Sequence, residues 1–413
     1  MDVVLFILGP VGTAAIVGGG VWLLREKFGW FKSSSDAETR ERLARVEGQL
    51  AELKEQPVAL SQSTSSVDTD ALAAQATAKS ERLLAEAVEL QRQHKERAAI
   101  ERLLTAYDMD MPPQAKTQLH LLAGNGFARL SELEEAESHY HQSLAASREA
   151  ADKGGQAAAL SGLGIVYAQR GDLEKAEEHY TGALAIDKEI GNKLGQANQL
   201  GNLGLVYAGL GQLDAAEEYH QRALAIDEEI GNKRGQASDL GNLGNVYLGR
   251  GDLDAAEEHY RKALTIDEEI GNKLGQANHL GNLGNVYSHR GELHGAEEYY
   301  NRALVIHEEI GNRLGQASDL GNLGNVYRRR GELEKAEEHH RRALVIDEEI
   351  GDRLGQAEAL GNLGLVVAQR GDNGKARDLL QQAAALYEAS GAGGEGPEMV
   401  RRALKRLESE SQD

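Results

Sequence analysis

The residues best suited to chemistry in this 413-residue chain recur in registers 40 positions apart. Asn242, Asn282 and Asn322 share one register, with Asn202 and Asn362 in weaker copies of the same phrase. Asn245, Asn285 and Asn325 share a second. An asparagine amide offers both donors and an acceptor, so a ladder of them can pair with the backbone of an extended peptide. The alternative is that these amides satisfy one another or the backbone of the adjoining unit. A third register is cationic: Arg250, Arg290, Arg330 and Arg370, thickened by Arg328 and Arg329. Guanidinium groups suit bidentate contact with carboxylates, so this track predicts a place for an acidic segment or a terminal carboxylate. A solvated charged face is the bland alternative.

Catalytic and cofactor chemistry find less support. His179, His259 and His339 recur at the same spacing and read as surface or seam residues. His307-Glu308-Glu309 begins like a zinc motif, but Gly311 stands where the second histidine is needed. With no cysteine, disulfides, thiolate metal sites and a cysteine nucleophile are excluded. Gly244, Gly249 and Gly251 imitate a nucleotide loop only superficially, since no lysine follows and no strand is expected before them. A formal net charge of -21 argues against nucleic-acid binding, which needs a basic footprint. No metal, cofactor or enzymatic activity is expected.

What must position these registers is an internal repeat. The phrase GQA recurs at Gly155, Gly195, Gly235, Gly275, Gly315 and Gly355. Within residues 195–234, Ala197, Leu200, Leu203, Gly204 and Tyr207 fall on one face of a first helix, which Gly211 ends. Asp214 is placed to start a second helix by accepting a backbone hydrogen bond. Ala216, Tyr219, Ala223, Ile226 and Ile230 then mark its inner face at steps of three and four. A glycine at the Gly204 position costs helix propensity of about 1 kcal/mol, which close packing of the second helix must repay. Each unit is a helical hairpin that must stack on its neighbours to bury its apolar faces. One degenerate unit, carrying Gly124, Phe127, Ala136, Tyr140 and Leu144, precedes six clear ones, so the array spans residues 114–394. Val400, Ala403, Leu404 and Leu407 match a further first helix, which makes 395–413 a cap and tail.

Leu200, Leu203, Gly204, Tyr207, Ala216, His220 and Ala223 carry a resemblance to tetratricopeptide (TPR) repeats. Leu200 replaces the usual tryptophan, and His220 and His340 replace an aromatic kept as Tyr180, Tyr260 and Tyr300. The 40-residue period resembles the extended repeats of Pins/LGN-type and kinesin-light-chain-type adaptors. The resemblance implies an all-α, right-handed superhelical solenoid with the first helices lining a concave groove. It therefore implies that Asn202, Asn242, Asn245, Asn282, Asn285, Asn322, Asn325 and Asn362 face a bound segment, with Arg250, Arg290, Arg329 and Arg330 beside them. Ile165, Leu205 and Leu365 take the second asparagine's place elsewhere, so the polar ground centres on the three middle repeats.

Upstream, residues 3–24 carry no charge and are long enough for a transmembrane helix, which needs about 20 apolar residues. The Met1-Asp2 start is unlike a signal peptide. Arg25, Lys27 and Lys32 follow the apolar run, so the positive-inside rule puts the N-terminus outside and the array in the cytoplasm. Residues 1–32 thus form the anchor, and Trp22, Phe28, Trp30 and Phe31 suit its interface. In residues 33–70, Leu43, Val46, Leu50 and Leu53 make a short amphipathic, coiled-coil-like seam before a Ser/Thr-rich linker. Residues 71–113 are a helical lead-in to the array. The function expected is a membrane-anchored adaptor holding a protein segment, with a self-associating scaffold, a homo-oligomer, as the alternative.

Overall fold

A computed structural model describes residues 82–90, 95–107 and 111–409. The expected membrane span (3–24), heptad seam (37–55) and linker (61–70) lie outside them. Among the described residues no helix is long and apolar enough to cross a membrane.

The regular structure of the described residues is α-helical. After α1 (82–90) and α2 (Glu96–Tyr107), first and second helices of each hairpin alternate. They run α3 (Pro113–Arg129), α4 (Leu133–Glu149), α5 (Lys153–Gln169), α6 (Leu173–Glu189), α7 (Lys193–Gly209) and α8 (Leu213–Glu229). Next come α9 (Lys233–Arg250), α10 (Leu253–Glu269), α11 (Lys273–Arg290), α12 (Leu293–Glu309) and α13 (Arg313–Arg330). The series ends with α14 (Leu333–Ile350), α15 (Arg353–Gln369), α16 (Asn373–Ser390) and α17 (Glu395–Ser409). At the start, Leu83, Leu84, Ile100 and Leu103 bury against Leu119 and Phe127. At the other end, Val400 and Leu407 of α17 share a buried cluster with Leu380 and Tyr387.

Helix ends follow from local chemistry. Gly251 sits at φ +79°, and the amides of Gly251 and Asp252 bond to the carbonyls of Leu248 and Tyr247, a Schellman closure. Asp252 then caps α10 through the Ala255 amide at 3.1 Å. The corresponding expectation for Asp214 is corrected: the N-cap of α8 is Gln212, and Asp214 lies in the first turn, where its carboxylate meets Arg250 at 2.7 Å. Ile230 is likewise no inner-face residue. It follows the end of α8 and is 38% exposed.

The repeated phrases resolve into contacts. A Cβ at Gly244 would lie 2.5 Å from the ring of Tyr260, and Gly204, Gly284 and Gly324 are crowded in the same way by His220, Tyr300 and His340. The second helix packs so close that only glycine fits. Ala256 and Ala263 are fully buried on the same second helix. In the GQA phrase, a side chain at Gly235 would collide with the Asp227 carboxylate and the Asn232 amide. Gln236 donates to the Asp227 carbonyl at 2.9 Å, satisfying a group at the end of the preceding helix, and Ala237 is buried.

Neighbouring repeats are joined by a Tyr–Glu–Arg latch. Glu257 on α10 accepts from Tyr287 at 3.0 Å and from Arg290, both on α11, and the Arg290 guanidinium stacks over the Tyr287 ring. Glu217 with Tyr247 and Arg250, and Glu297 with Tyr327 and Arg330, repeat the arrangement. Burial alone would raise the Glu257 carboxyl, but the bonds from Arg290, Arg261 and Tyr287 hold it below the ordinary glutamate value. Glu257→Ala is expected to lower the unfolding free energy by about 1–2 kcal/mol in urea titrations, a half-exposed network being worth more than one surface pair. A loss unchanged when Arg290 is already alanine would show that the pair does not couple.

Candidate functional site: the inner groove

Successive first helices contact one another directly, more closely than successive second helices do, which places them on the inner side of the stack. Between α3 and α9 this side encloses a cavity of about 350 Å³. Its lining combines Ser161, Asn198, Asn202, Ser238 and Asn242 with apolar Ile165 and Leu205. A second, narrower cleft between α11 and α13 is lined by Asn278, Asn282, Asn285, Ser318 and Asn322.

The first asparagine register is therefore brought to the groove at Asn202, Asn242, Asn282 and Asn322. Asn362 keeps the register, half-buried on α15, but borders neither cavity. The second register has an internal occupation that the sequence did not disclose. Tyr260 donates its hydroxyl to Asn245 Oδ1 at 2.7 Å, and Tyr300 does the same to Asn285. These asparagines thus tie the two helices of a hairpin together. Asn325 holds the same register, but the residue in the tyrosine's place is His340, whose two ring nitrogens have no partner.

The arginines of the cationic track are engaged within the stack. Arg250, Arg290 and Arg330 are held by the inter-repeat glutamates described above, and Arg370 by Glu337. Arg329 donates to the carbonyl and hydroxyl of Ser288 at 2.8 and 2.7 Å. A register of arginines beside a register of acidic residues 33 positions earlier is a latch, because stacking brings those positions across one seam. The recurrent histidines pack between the two helices of their own hairpin: His179, His259 and His339 lie against Tyr167, Tyr247 and Tyr327. His307 is instead buried, bonded to Asp319 at 2.7 Å.

Sequence reasoning missed the groove's acidic floor. Asp187, Asp227 and Asp267, at the ends of second helices, are buried and accept from Asn192, Asn232 and Asn272 at 2.7, 2.9 and 2.8 Å. Each meets a residue on the next first helix: Asp187 meets Gln199, Asp227 senses Asp239, and Asp267 pairs with His279 at 3.2 Å. Burial pushes the Asp227 carboxyl up to about 6, with the charge of Asp239 adding to it. Burial likewise raises Asp187 and Asp239, the latter opposed by His220, whose Nδ1 is 3.2 Å away. The usable signal was an aspartate followed five residues later by asparagine, repeated at 187/192, 227/232 and 267/272. Among the described residues no three His, Asp or Glu side chains converge as a metal site.

Three family models match the chain: a MalT-like TPR region over residues 232–404, and two tetratricopeptide-repeat models over 117–189 and 197–230. No curated protein matches. Among solved structures, the apo form of RapI is similar at 17% identity and a TM-score of 0.54, covering 81% of this chain and 98% of its own. A Rap protein complexed with competence and sporulation factor is similar at 18% identity and a TM-score of 0.52, with coverage of 80% and 98%. The apo quorum sensor NprR from B. thuringiensis gives 16% and 0.52, with coverage of 80% and 97%. At these identities the likeness is one of fold.

Proposed function

We propose that this chain, which belongs to the tetratricopeptide-repeat family, is an adaptor that holds a segment of a partner protein in the inner groove of its stack. The observation carrying this reading is the lining of the groove. Successive first helices bring donor–acceptor side chains to two inner-side clefts, with apolar Ile165 and Leu205 in the first. Such a surface can pair with peptide backbone and still admit side chains. The likeness to a Rap protein complexed with competence and sporulation factor supports a binding scaffold as the use of such a stack. The uncharged run at 3–24 supports attachment of this adaptor to a membrane, with the array on the cytoplasmic side by the charge of the following residues.

Replacing Asn202, Asn242, Asn282 and Asn322 together with alanine is expected to weaken binding of specific partners from source-cell membranes by at least about a hundredfold, each lost hydrogen bond to the peptide costing about 0.7–1 kcal/mol. Helicity and melting must first match the parent protein. Undiminished recovery by a folded variant would remove the groove as the binding surface.

A further inference from the structure

The same two positions recur at every seam along the groove, one closing a second helix and one opening onto it from the next first helix. Between α10 and α11 and between α12 and α13 they are complementary, Asp267 facing His279 and His307 facing Asp319, whereas between α14 and α15 the same positions hold Asp347 and Ala359. Between α8 and α9 they are Asp227 and Asp239, two carboxylates that repel across a seam, at 3% and 5% exposure. One seam earlier, Asp187 faces Gln199, whose amide nitrogen donates to Asp187 at 3.4 Å. The Gln199 carbonyl oxygen has no partner, although the residue is only 4% exposed and lines the cavity. Asp187, Gln199, Asp227 and Asp239 border the same 350 Å³ space. The cation on that lining is Arg129, at its α3 end. His220 reaches Asp239 from α8.

We propose that the α6–α9 part of the groove is a subsite for a cationic side chain, arginine or lysine, of the bound segment. This rests on the groove reading above and names the chemistry of its partner. A guanidinium or ammonium entering the cavity would stand among Asp187, Asp227 and Asp239, of which Asp239 alone has an ionisable base, His220, beside it, and would give the Gln199 oxygen the donor it lacks. The asparagines around it would hold the backbone on either side. The partner segment is therefore basic, the reverse of what the arginine register suggested, because those arginines are spent on the seams.

The test uses phage-displayed random dodecapeptides selected on the full-length chain in detergent. The expected result is enrichment of arginine or lysine at one position, and its disappearance on the Asp227→Asn/Asp239→Asn variant. A selected peptide with that residue changed to glutamine should bind the parent protein at least about tenfold more weakly, yet bind the double variant no worse than the original peptide does. Ser238→Lys, which supplies a cation from the protein itself while keeping both carboxylates, should abolish the preference too and covers the case in which the double variant fails to fold. Peptides displaced by the groove asparagine variant but lacking any basic position, or enriched in acidic ones, would overturn the cationic subsite and leave the groove reading intact. Peptides indifferent to the asparagine variant would overturn both.

Discussion

Tyr260→Ala is expected to lower the stability of the array by about 3–5 kcal/mol, the range for truncating a well-packed buried aromatic. Tyr260 is fully buried, its ring seated against the Cα of Gly244 and its hydroxyl on Asn245. Burial drives its ionisation far above the ordinary tyrosine range, so the hydroxyl is a neutral donor at any working pH. Truncation opens a cavity that Gly244 has no side chain to fill and leaves the Asn245 oxygen without its donor. Tyr260→Phe separates the two effects, since it keeps the ring and removes the hydroxyl, for about 1 kcal/mol. Gly244→Ala presses on the same contact from the other side and should cost about 1–3 kcal/mol by overpacking. Urea unfolding read by circular dichroism gives the three values, and amide exchange shows whether the loss is confined to α9 and α10. Equal losses for Tyr260→Ala and Tyr260→Phe would contradict the packing account.

His340→Tyr is expected to do the reverse, and by an amount that grows in acid. His340 occupies the place of Tyr260 and Tyr300, against Gly324, with neither ring nitrogen bonded and no exposure to solvent. Its pKa is lowered to about 3 by burial, with Arg328 and His339 adding to the effect. The unfolded chain takes up this proton near the ordinary value of 6.5, the folded one only near 3, so stability falls as pH drops through that window. Tyrosine removes the penalty, and by register its hydroxyl is expected to reach Asn325 as Tyr260 reaches Asn245. The variant should gain about 1 kcal/mol near neutral pH. The gain should widen by about 1.4 kcal/mol for each further pH unit below about 6.5. Asp227 and Asp319, both raised to about 6, act with the opposite sign by stabilising the fold as pH falls. They are present in both proteins and cancel in the difference. Urea midpoints for the two proteins at several pH values measure it, and a gap independent of pH would contradict the assignment.

The hairpin fold was legible because its punctuation is local. Gly211 and Gly231 end helices through their own backbone freedom, and the Gly204 register could be read as a close crossing from residue size alone. The resemblance to tetratricopeptide repeats pointed to Asn202, Asn242, Asn282 and Asn322, which border the two clefts. What pairs across a seam was not legible. Arg250 reads as available in the sequence because Glu217 is 33 residues away, and only stacking joins them. Asp227 was hidden for a related reason: it stands in the acidic run with Glu228 and Glu229, which reads as a solvated face. The helix rotation that leaves both glutamates in water turns the aspartate into the groove. Asn245 shows the limit of side-chain type as a guide, since the same amide that suits a peptide ladder is already bonded by Tyr260.

The most direct measurement is photo-crosslinking from two single positions in the full-length protein, in membranes of the source cell. A benzophenone side chain at Asn202 lies in the groove, and one at the exposed Glu218 lies on the outward side of α8. Groove binding predicts partner adducts from position 202 that are absent from position 218. Adducts from position 218 and none from position 202 would contradict it.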